Sequence, residues 1–506
     1  MLWRFISICL IIRVVLNEHF NSIWRELALK NKLLTSASPP STLAADLAYR
    51  YFGKILLREE IQLSETEFQE NLSNGHFIPS PSIISKRIAH ECQRCHNRKR
   101  SLFAMIDCAR CKKKHVYCRH CVEMGRVLAC EPLYSWNGQH PIWETHENAC
   151  VWDGQLTLVQ EKAADRIERA IQLKETELLV WGVCGAGKTE MLFKGISSAL
   201  QLGKRICLAT PRADVVRELY PRFKEAFPTV DIQGIYGGSE DKDGTAQFII
   251  ATTHQLLRYV EAFDVLIVDE VDAFPYHADP TLPFASHRAK KKVSTTIYLT
   301  ATPRNEQKTK ISRQKLPHIF VPIRFHGHPL PVPQFKMCFS LRKDLNQFQF
   351  PFALMTWLTK REHQARQLLI FVPTIQMAEK IVETNGQTLV NKGIICSQEM
   401  LQVVHAEDPN REEKVSLFRQ KKLTILVTTT ILERGVTFPA IDVIVLDAGH
   451  RVFDEAALVQ IAGRAGRSPD DPDGEVIFYH DGKTDAMVQA VDSIKAMNKR
   501  GRGYFT

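Results

Sequence analysis

Gly182-Val183-Cys184-Gly185-Ala186-Gly187-Lys188-Thr189 is the stretch on which the reading of this chain turns. It follows an apolar run, Leu178-Leu179-Val180-Trp181, with the character of a buried strand. It precedes Glu190-Met191-Leu192-Phe193-Lys194, which opens a helical pattern. Glycine at the first and sixth positions followed by Lys-Thr is the spacing of a phosphate-binding loop. Gly182, Gly185 and Gly187 let the backbone turn its N–H groups onto phosphate oxygens, and the helix that starts there adds a positive dipole end. In that chemistry Lys188 reaches the β- and γ-phosphates and Thr189 ligates Mg²⁺. The run predicts ATP binding, and leaves open what the energy drives.

Working outward, 506 residues suffice for about three domains, and 44% hydrophobic with 24% charged residues is a globular composition. A net charge of +10 suits a polyanionic partner, though only weakly. The opening Met1–Leu16 is apolar but short for a spanning helix and carries Arg4 and Arg13. A surface helix, a membrane-touching segment and a misassigned start all fit it. A motor fed by ATP is expected inside the cell. Thirteen cysteines in a chain of this size do not describe a small disulfide-stapled domain.

Ser/Pro breaks at 36–41 and 79–82 punctuate the first part. From about 155 onward strand-like runs alternate with helical ones, which predicts parallel α/β layers. The strand candidates are Leu178–Val183, Arg205–Ala209, Phe248–Ala251, Val265–Val268 and Thr296–Leu299, then Leu368–Val372, Ile425–Val427, Val443–Leu446 and Val476–Tyr479. The Pro-rich stretch His318–Pro333 reads as the connection between two lobes. The expected organisation is an N-terminal region over 1–85, a metal-binding module over 86–150, a first lobe over 151–325 and a second over 326–506.

Two further motifs complete a catalytic set. Val268-Asp269-Glu270-Val271-Asp272 ends an apolar run, so Asp269 lies at the carboxyl end of a strand, where open α/β sheets bind ligands. Asp269 there can hold Mg²⁺, and Glu270 can orient the attacking water. In Gln460-Ile461-Ala462-Gly463-Arg464-Ala465-Gly466-Arg467, small residues permit close approach of another surface. The forks of Arg464 and Arg467 suit transition-state phosphate oxygens. Their distance along the chain predicts an active site that is complete only when two lobes close.

Cys92/Cys95, Cys108/Cys111 and Cys118/Cys121 are three C-x-x-C pairs within 30 residues. Zinc takes four ligands in a tetrahedron, so one pair is surplus to a single site. Spacing alone allows the first pair to join either of the others, and His96, His115 or His120 can complete a second site. Lys86, Arg87, Arg94, Arg98, Lys99, Arg100, Arg110, Lys112, Lys113, Lys114 and Arg119 crowd the same segment, with Phe103 and Tyr117 available for base stacking. A protein-docking surface is the competing reading.

The phosphate loop, Asp269–Asp272, Leu299-Thr300-Ala301-Thr302-Pro303 and Gln460–Arg467 resemble motifs I, II, III and VI of superfamily 2 helicases, in order. Ala209-Thr210-Pro211-Arg212, Thr252-Thr253-His254-Gln255, Phe371-Val372-Pro373-Thr374, and Thr428-Thr429-Thr430 with Glu433-Arg434-Gly435-Val436 resemble the intervening motifs. The resemblance implies two tandem RecA-like lobes. It implies adenine reading by Gln160, nucleic-acid contact by Thr210, Arg212, Thr429 and Thr430, and coupling through Thr300 and Thr302.

The cysteine module, Tyr117-Cys118-Arg119-His120-Cys121 leading to Met124-Gly125-Arg126-Val127, and Val183–Phe193 make the chain similar to the late competence ComFA family over residues 75–495. That resemblance implies zinc on Cys92, Cys95, Cys118 and Cys121, and an ATPase that pulls single-stranded DNA inward, peripheral to the inner face of the membrane. It implies ComEC, ComFC and DprA as partners and leaves a homo-oligomer open. A PriA-like replication-restart helicase is the runner-up, although there the cysteines interrupt the second lobe. An adaptor without ATPase activity is the alternative of another class.

Overall fold

Strands covered by helices on both faces need near-continuous apolar runs rather than alternation, and the runs after residue 175 have that form. In a computed structural model, which describes residues 42–86, 89–241, 243–434 and 438–504, they build two wholly parallel sheets. The first has seven strands in the order Ile232–Ile235, Phe248–Thr252, Ile206–Thr210, Phe263–Val268, Lys290–Thr300, Glu177–Gly182, His318–Val321. The second has six, in the order Gln334–Met337, Val476–His480, Ile441–Val445, Gln367–Phe371, Ile425–Thr428, Leu401–Val404. This is the expected pair of RecA-like lobes. Parallel pairing puts the carboxyl ends of each sheet on one edge. In the first sheet Trp181 lies beside Thr300, and Val268 beside Tyr298.

The Pro-rich stretch differs from its reading as pure connection. His318–Val321 pairs with Leu179–Gly182 as the edge strand of the first sheet, so the crossing between lobes begins after Val321.

Ahead of the lobes, Leu133–Trp136 pairs antiparallel with both Ile55–Leu56 and Phe77–Ser80. Residues on both sides of the cysteine segment therefore share one small sheet. Its aromatic core includes Tyr51 against Phe77 at 5.2 Å and Phe68 against Tyr134 at 5.0 Å, both edge-to-face. The cysteines sit on two short ribbons, Ile83–Ser85 with His90–Cys92, and Phe103–Asp107 with Lys114–Cys118 and Val127–Leu128.

This module is docked on the first lobe. Arg288 Nη1 donates to the carbonyls of Gln93 (3.1 Å) and Arg94 (2.5 Å), the His96 ring stacks on Phe284 at 4.4 Å, and His120 meets Asp279 at 3.0 Å. Met1–Leu16, together with Gly435 and Val436, lie outside the described residues. Among the described residues no helix is long and apolar enough to cross a membrane.

Candidate functional site between the lobes

The phosphate loop joins the strand Glu177–Gly182 to the helix Lys188–Gln201. Gly185 (φ 77°) and Gly187 (φ 69°) occupy the left-handed region that favours glycine, and a Cβ on Gly187 would lie 2.3 Å from Gln160 Nε2. Lys188 Nζ donates to the carbonyls of Gly182 and Val183, both at 3.2 Å, so its ammonium sits inside the loop's curve.

Gln160 has both ends of its amide engaged. Oε1 accepts from the backbone N–H (2.8 Å) and hydroxyl (2.9 Å) of Thr157 in a capping box, and Nε2 donates to Ala186 O at 3.0 Å. Its observed work is to tie the phosphate loop to the preceding helix.

Asp269 and Glu270 emerge at the end of Phe263–Val268, facing Lys188 and Thr189 across the cleft. Burial first, then the neighbouring Glu270 carboxylate, pushes the Asp269 carboxyl up to about 7. Glu270 stands at φ 53°, and its Oε2 is buried without a hydrogen bond among the described residues. This donor set, a strand-end carboxylate opposite a threonine hydroxyl, fits a hydrated Mg²⁺ ion.

Two carboxylates along, Asp272 is fully buried and accepts three short bonds, each 2.6 Å, from Thr300 Oγ1, Thr302 Oγ1 and Arg434 Nη2. Burial alone pushes this carboxyl up, but the Arg434 guanidinium and the two hydroxyls overcome it and hold it down at about 2. Arg434 comes from the second lobe, so this cluster is a buried joint between lobes. The run Glu433-Arg434-Gly435-Val436 marks Arg434 as part of a motif but names no partner for it, because one arginine carries no spacing signal.

The second lobe also delivers Gln460–Arg467. Cys184 Sγ of the phosphate loop donates to Gln460 Oε1 at 3.0 Å, and a Cβ on Gly463 would lie 2.4 Å from Cys184 Cβ. The small residues of this run therefore do let the two surfaces meet. Arg464 is buried. Its Nε donates to Glu433 O at 3.0 Å, while Nη1 has no hydrogen-bond partner among the described residues and the residue lines the cleft with Lys188, Asp269 and Glu270. Burial first, then the charge of Arg467, pulls its pKa well below the usual arginine range. Arg467 lines the same cleft and donates from Nε to Gly463 O at 2.9 Å.

Arg324, from the connecting stretch, was not legible as a site residue. It is buried and donates to the carbonyls of Ala465 (2.8 Å) and Gly466, while Phe325 N–H donates to Gly185 O at 2.9 Å. The connection thus touches both halves of the site.

The residues expected to contact nucleic acid are less uniform. Arg212 Nη2 donates across the lobes to Ile431 O at 2.6 Å and pairs with Asp214, which also receives Arg411 at 2.5 Å. Thr210 is buried, and its hydroxyl has no hydrogen-bond partner among the described residues. Thr429 and Thr430 are half-buried just past the strand Ile425–Thr428.

Away from this cleft, the Sγ atoms of Cys92, Cys95, Cys118 and Cys121 lie within 4.8 Å of one another, all buried. Cys92–Cys121 is 3.8 Å and Cys95–Cys118 is 3.6 Å. A tetrahedral zinc with Zn–S near 2.3 Å demands sulfur separations of about 3.8 Å, so the four thiols fit that ion. Of the basic residues nearby, Arg94 is buried and spent on Glu60 (2.7 Å) and Met124 O (2.9 Å). Lys99, Arg100, Lys112, Lys113 and Lys114 are exposed. Tyr117 carries Arg126 over its ring at 5.6 Å, and Phe103 faces His90.

Comparison with known proteins agrees with this arrangement. Residues 41–135 match the competence protein ComFA N-terminal domain, 153–305 the type III restriction enzyme res subunit, and 351–469 the helicase conserved C-terminal domain. The chain is 45% identical to competence protein ComFA of Bacillus subtilis (strain 168), covering 91% of this chain and 96% of that one. It is 36% identical to competence protein ComFA of Streptococcus pneumoniae, covering 89% and 98%. S. cerevisiae Dbp5 bound to RNA and ADP BeF3 overlaps it with a TM-score of 0.49 at 15% identity, covering 70% of this chain and 94% of that one. A cysteine-bearing module docked on paired helicase lobes, with near-full-length identity of this order, shows that the chain belongs to the ComFA family of competence proteins and is a superfamily 2 helicase-like motor.

Proposed function

We propose that the protein hydrolyses ATP at the cleft between its lobes and uses the cycle to draw single-stranded DNA into the cell during competence. The observation that carries this is Arg464, a buried guanidinium from the second lobe that lines the same cleft as Lys188 and Glu270 of the first and whose Nη1 has no hydrogen-bond partner among the described residues. A buried guanidinium with an unmet N–H is costly unless an acceptor completes it, and the γ-phosphate is the anion that the adjoining loop is shaped to hold.

In this reading the N–H groups of the loop at Gly185 and Gly187 and the Lys188 ammonium bind the β- and γ-phosphates. Thr189 and Asp269 would hold Mg²⁺, which supplies charge neutralisation on the phosphate oxygens. Glu270 positions the attacking water and accepts its proton. Arg464 and Arg467 stabilise charge on the transferring group, so hydrolysis requires closed lobes.

The Asp272–Thr300–Thr302–Arg434 joint passes the state of the cleft to the second lobe, because opening the lobes must break it. Thr210, Thr429 and Thr430 then serve DNA phosphates without reading sequence. Arg212 takes part as a tie between lobes that shifts when they part. Work at the inner face of the membrane with ComEC, ComFC and DprA belongs to the same proposal, supported by the family's association with competence.

The test is ATPase activity with and without single-stranded DNA in the full chain and in Lys188→Ala. DNA-stimulated turnover lost in the variant is expected; equal rates in the two proteins would sink the proposal. Single-strand translocation without duplex unwinding separates it from a restart helicase.

A further inference from the structure

The surplus pair Cys108/Cys111 is not idle in the fold. We propose that Cys108, Cys111 and Cys130, with His115 as fourth donor, form a second zinc site distinct from the four-cysteine one. The three Sγ atoms lie within 4.8 Å of one another, and Cys130–Cys108 is 3.7 Å, the separation that a shared tetrahedral ion sets. His115 Nε2 is bonded to Cys111 Sγ at 3.0 Å, outside the cluster that the three thiols form, and turns from that bond to reach the ion as fourth donor. Three thiolates and an imidazole are an ordinary ligand set for structural zinc.

The backbone around the pair supplies an independent observation. In the first knuckle, His96 N–H donates to Cys92 O (2.8 Å), Cys92 N–H donates to Asn97 O (3.1 Å), and the residue after the second cysteine, His96, sits at φ 60°. The loop Cys108–Lys113 repeats this bond for bond. Lys112 N–H donates to Cys108 O (2.9 Å), Cys108 N–H donates to Lys113 O (2.9 Å), and Lys112 sits at φ 58°. A lysine accepts the left-handed region only where the turn demands it, and this turn aims two thiols at one point.

Cys130 reaches the site because Val127–Leu128 pairs with Tyr117–Cys118 and Ala129 N–H donates to Val116 O at 2.9 Å. Neither His96 nor His120 competes for the role: His96 pairs with Glu91 while its ring stacks on Phe284, and His120 pairs with Asp279 of the first lobe. The ion would staple the tip of the Phe103–Cys118 hairpin to the chain returning from the first zinc site. It would thereby fix the exposed Lys112, Lys113 and Lys114 in one geometry.

The experiment is elemental analysis of the full chain purified under reductant. Two zinc ions per chain are expected in the wild type. One is expected in Cys111→Ser and in Cys130→Ser, whose parent residues are exposed and half-buried. Cobalt loading of the same proteins gives a readout independent of yield: the thiolate-to-cobalt charge-transfer band should fall by roughly three-sevenths in each variant, as three of seven metal-bound thiolates are lost. One zinc per chain in the wild type, two retained in both variants, or a Cys108–Cys130 disulfide in the reduced preparation would each overturn the proposal.

Discussion

Gly463→Ala adds one methyl group where the lobes touch. Gly463 is in the right-handed helical region (φ −63°, ψ −6°), which alanine adopts without strain, so any defect comes from contact and not from the backbone. The new Cβ would lie 2.4 Å from Cys184 Cβ and 2.8 Å from its sulfur. Ordinary carbon contact begins near 3.5 Å, so the phosphate loop and the Gln460–Arg467 segment must part by about 1 Å. Arg464 is the next residue and moves with them.

A displacement of about 1 Å in a group that must meet a transition state costs on the order of 100-fold, about 2.7 kcal/mol. The assay is steady-state ATPase at saturating single-stranded DNA, with Tm measured alongside. We expect a fall of about 100-fold with little change in Tm. Cys184→Gly removes both colliding atoms and should restore most of the loss in the double variant while remaining active alone. Full activity in Gly463→Ala, or a loss untouched by Cys184→Gly, would refute the idea that this small-residue contact sets closure.

Arg464→Gln should lower kcat by about 100- to 1,000-fold with a smaller effect on the KM for ATP, since its guanidinium is aimed at developing charge; an effect on KM alone would assign it to ground-state binding. Arg434→Met strips Asp272 of its counter-charge and should weaken lobe docking by about 3–5 kcal/mol, read as lost DNA-stimulated ATPase and a lower Tm. Asp272 is held below its ordinary value of 3.8, at about 2, so its contribution is full above about pH 4 and is lost as pH falls through about 2. The wild type should therefore keep this contribution from pH 7 to about 5 and lose it only in acid, whereas in Arg434→Met burial is left to raise the Asp272 carboxyl, so the Tm gap should narrow as that carboxyl takes up a proton; a gap that does not narrow on acidification would point to another group. Cys118→Ser should release the zinc of the first site and loosen the module from the first lobe, seen as faster amide exchange around Arg288 and Phe284; unchanged metal content would exclude Cys118 as a ligand.

The nine strands expected from apolar runs are the nine interior strands of the two sheets, with ends shifted by a few residues. The four that were not legible, Ile232–Ile235, His318–Val321, Gln334–Met337 and Leu401–Val404, are the four edges. An interior strand is covered on both faces and flanked on both sides, so its sequence must be apolar throughout. An edge strand is freed from part of that demand, and Gln334–Met337 is mostly exposed. The same logic separates the site residues. Gly182–Thr189, Asp269–Asp272, Gln460–Arg467 and the paired cysteines announce themselves because local chain geometry imposes their spacing. Arg324, Arg434 and Cys130 are single residues whose partners lie far along the chain, and no local pattern marks them. Gln160 is legible as a residue of the site, and its bonds to Thr157 and Ala186 hold it beside the phosphate loop.

The sequence by itself therefore determined the inventory: a phosphate loop, its acidic and arginine partners, a cysteine cluster and two parallel α/β lobes. Each follows from short-range rules of backbone turn, strand burial and ligand spacing. Only the tertiary structure decided which lone residues join them. Arg434 meets Asp272, Arg324 braces the arginine segment, and Cys130 closes on Cys108 and Cys111, because those meetings depend on how sheets and ribbons pack, which residue spacing does not encode.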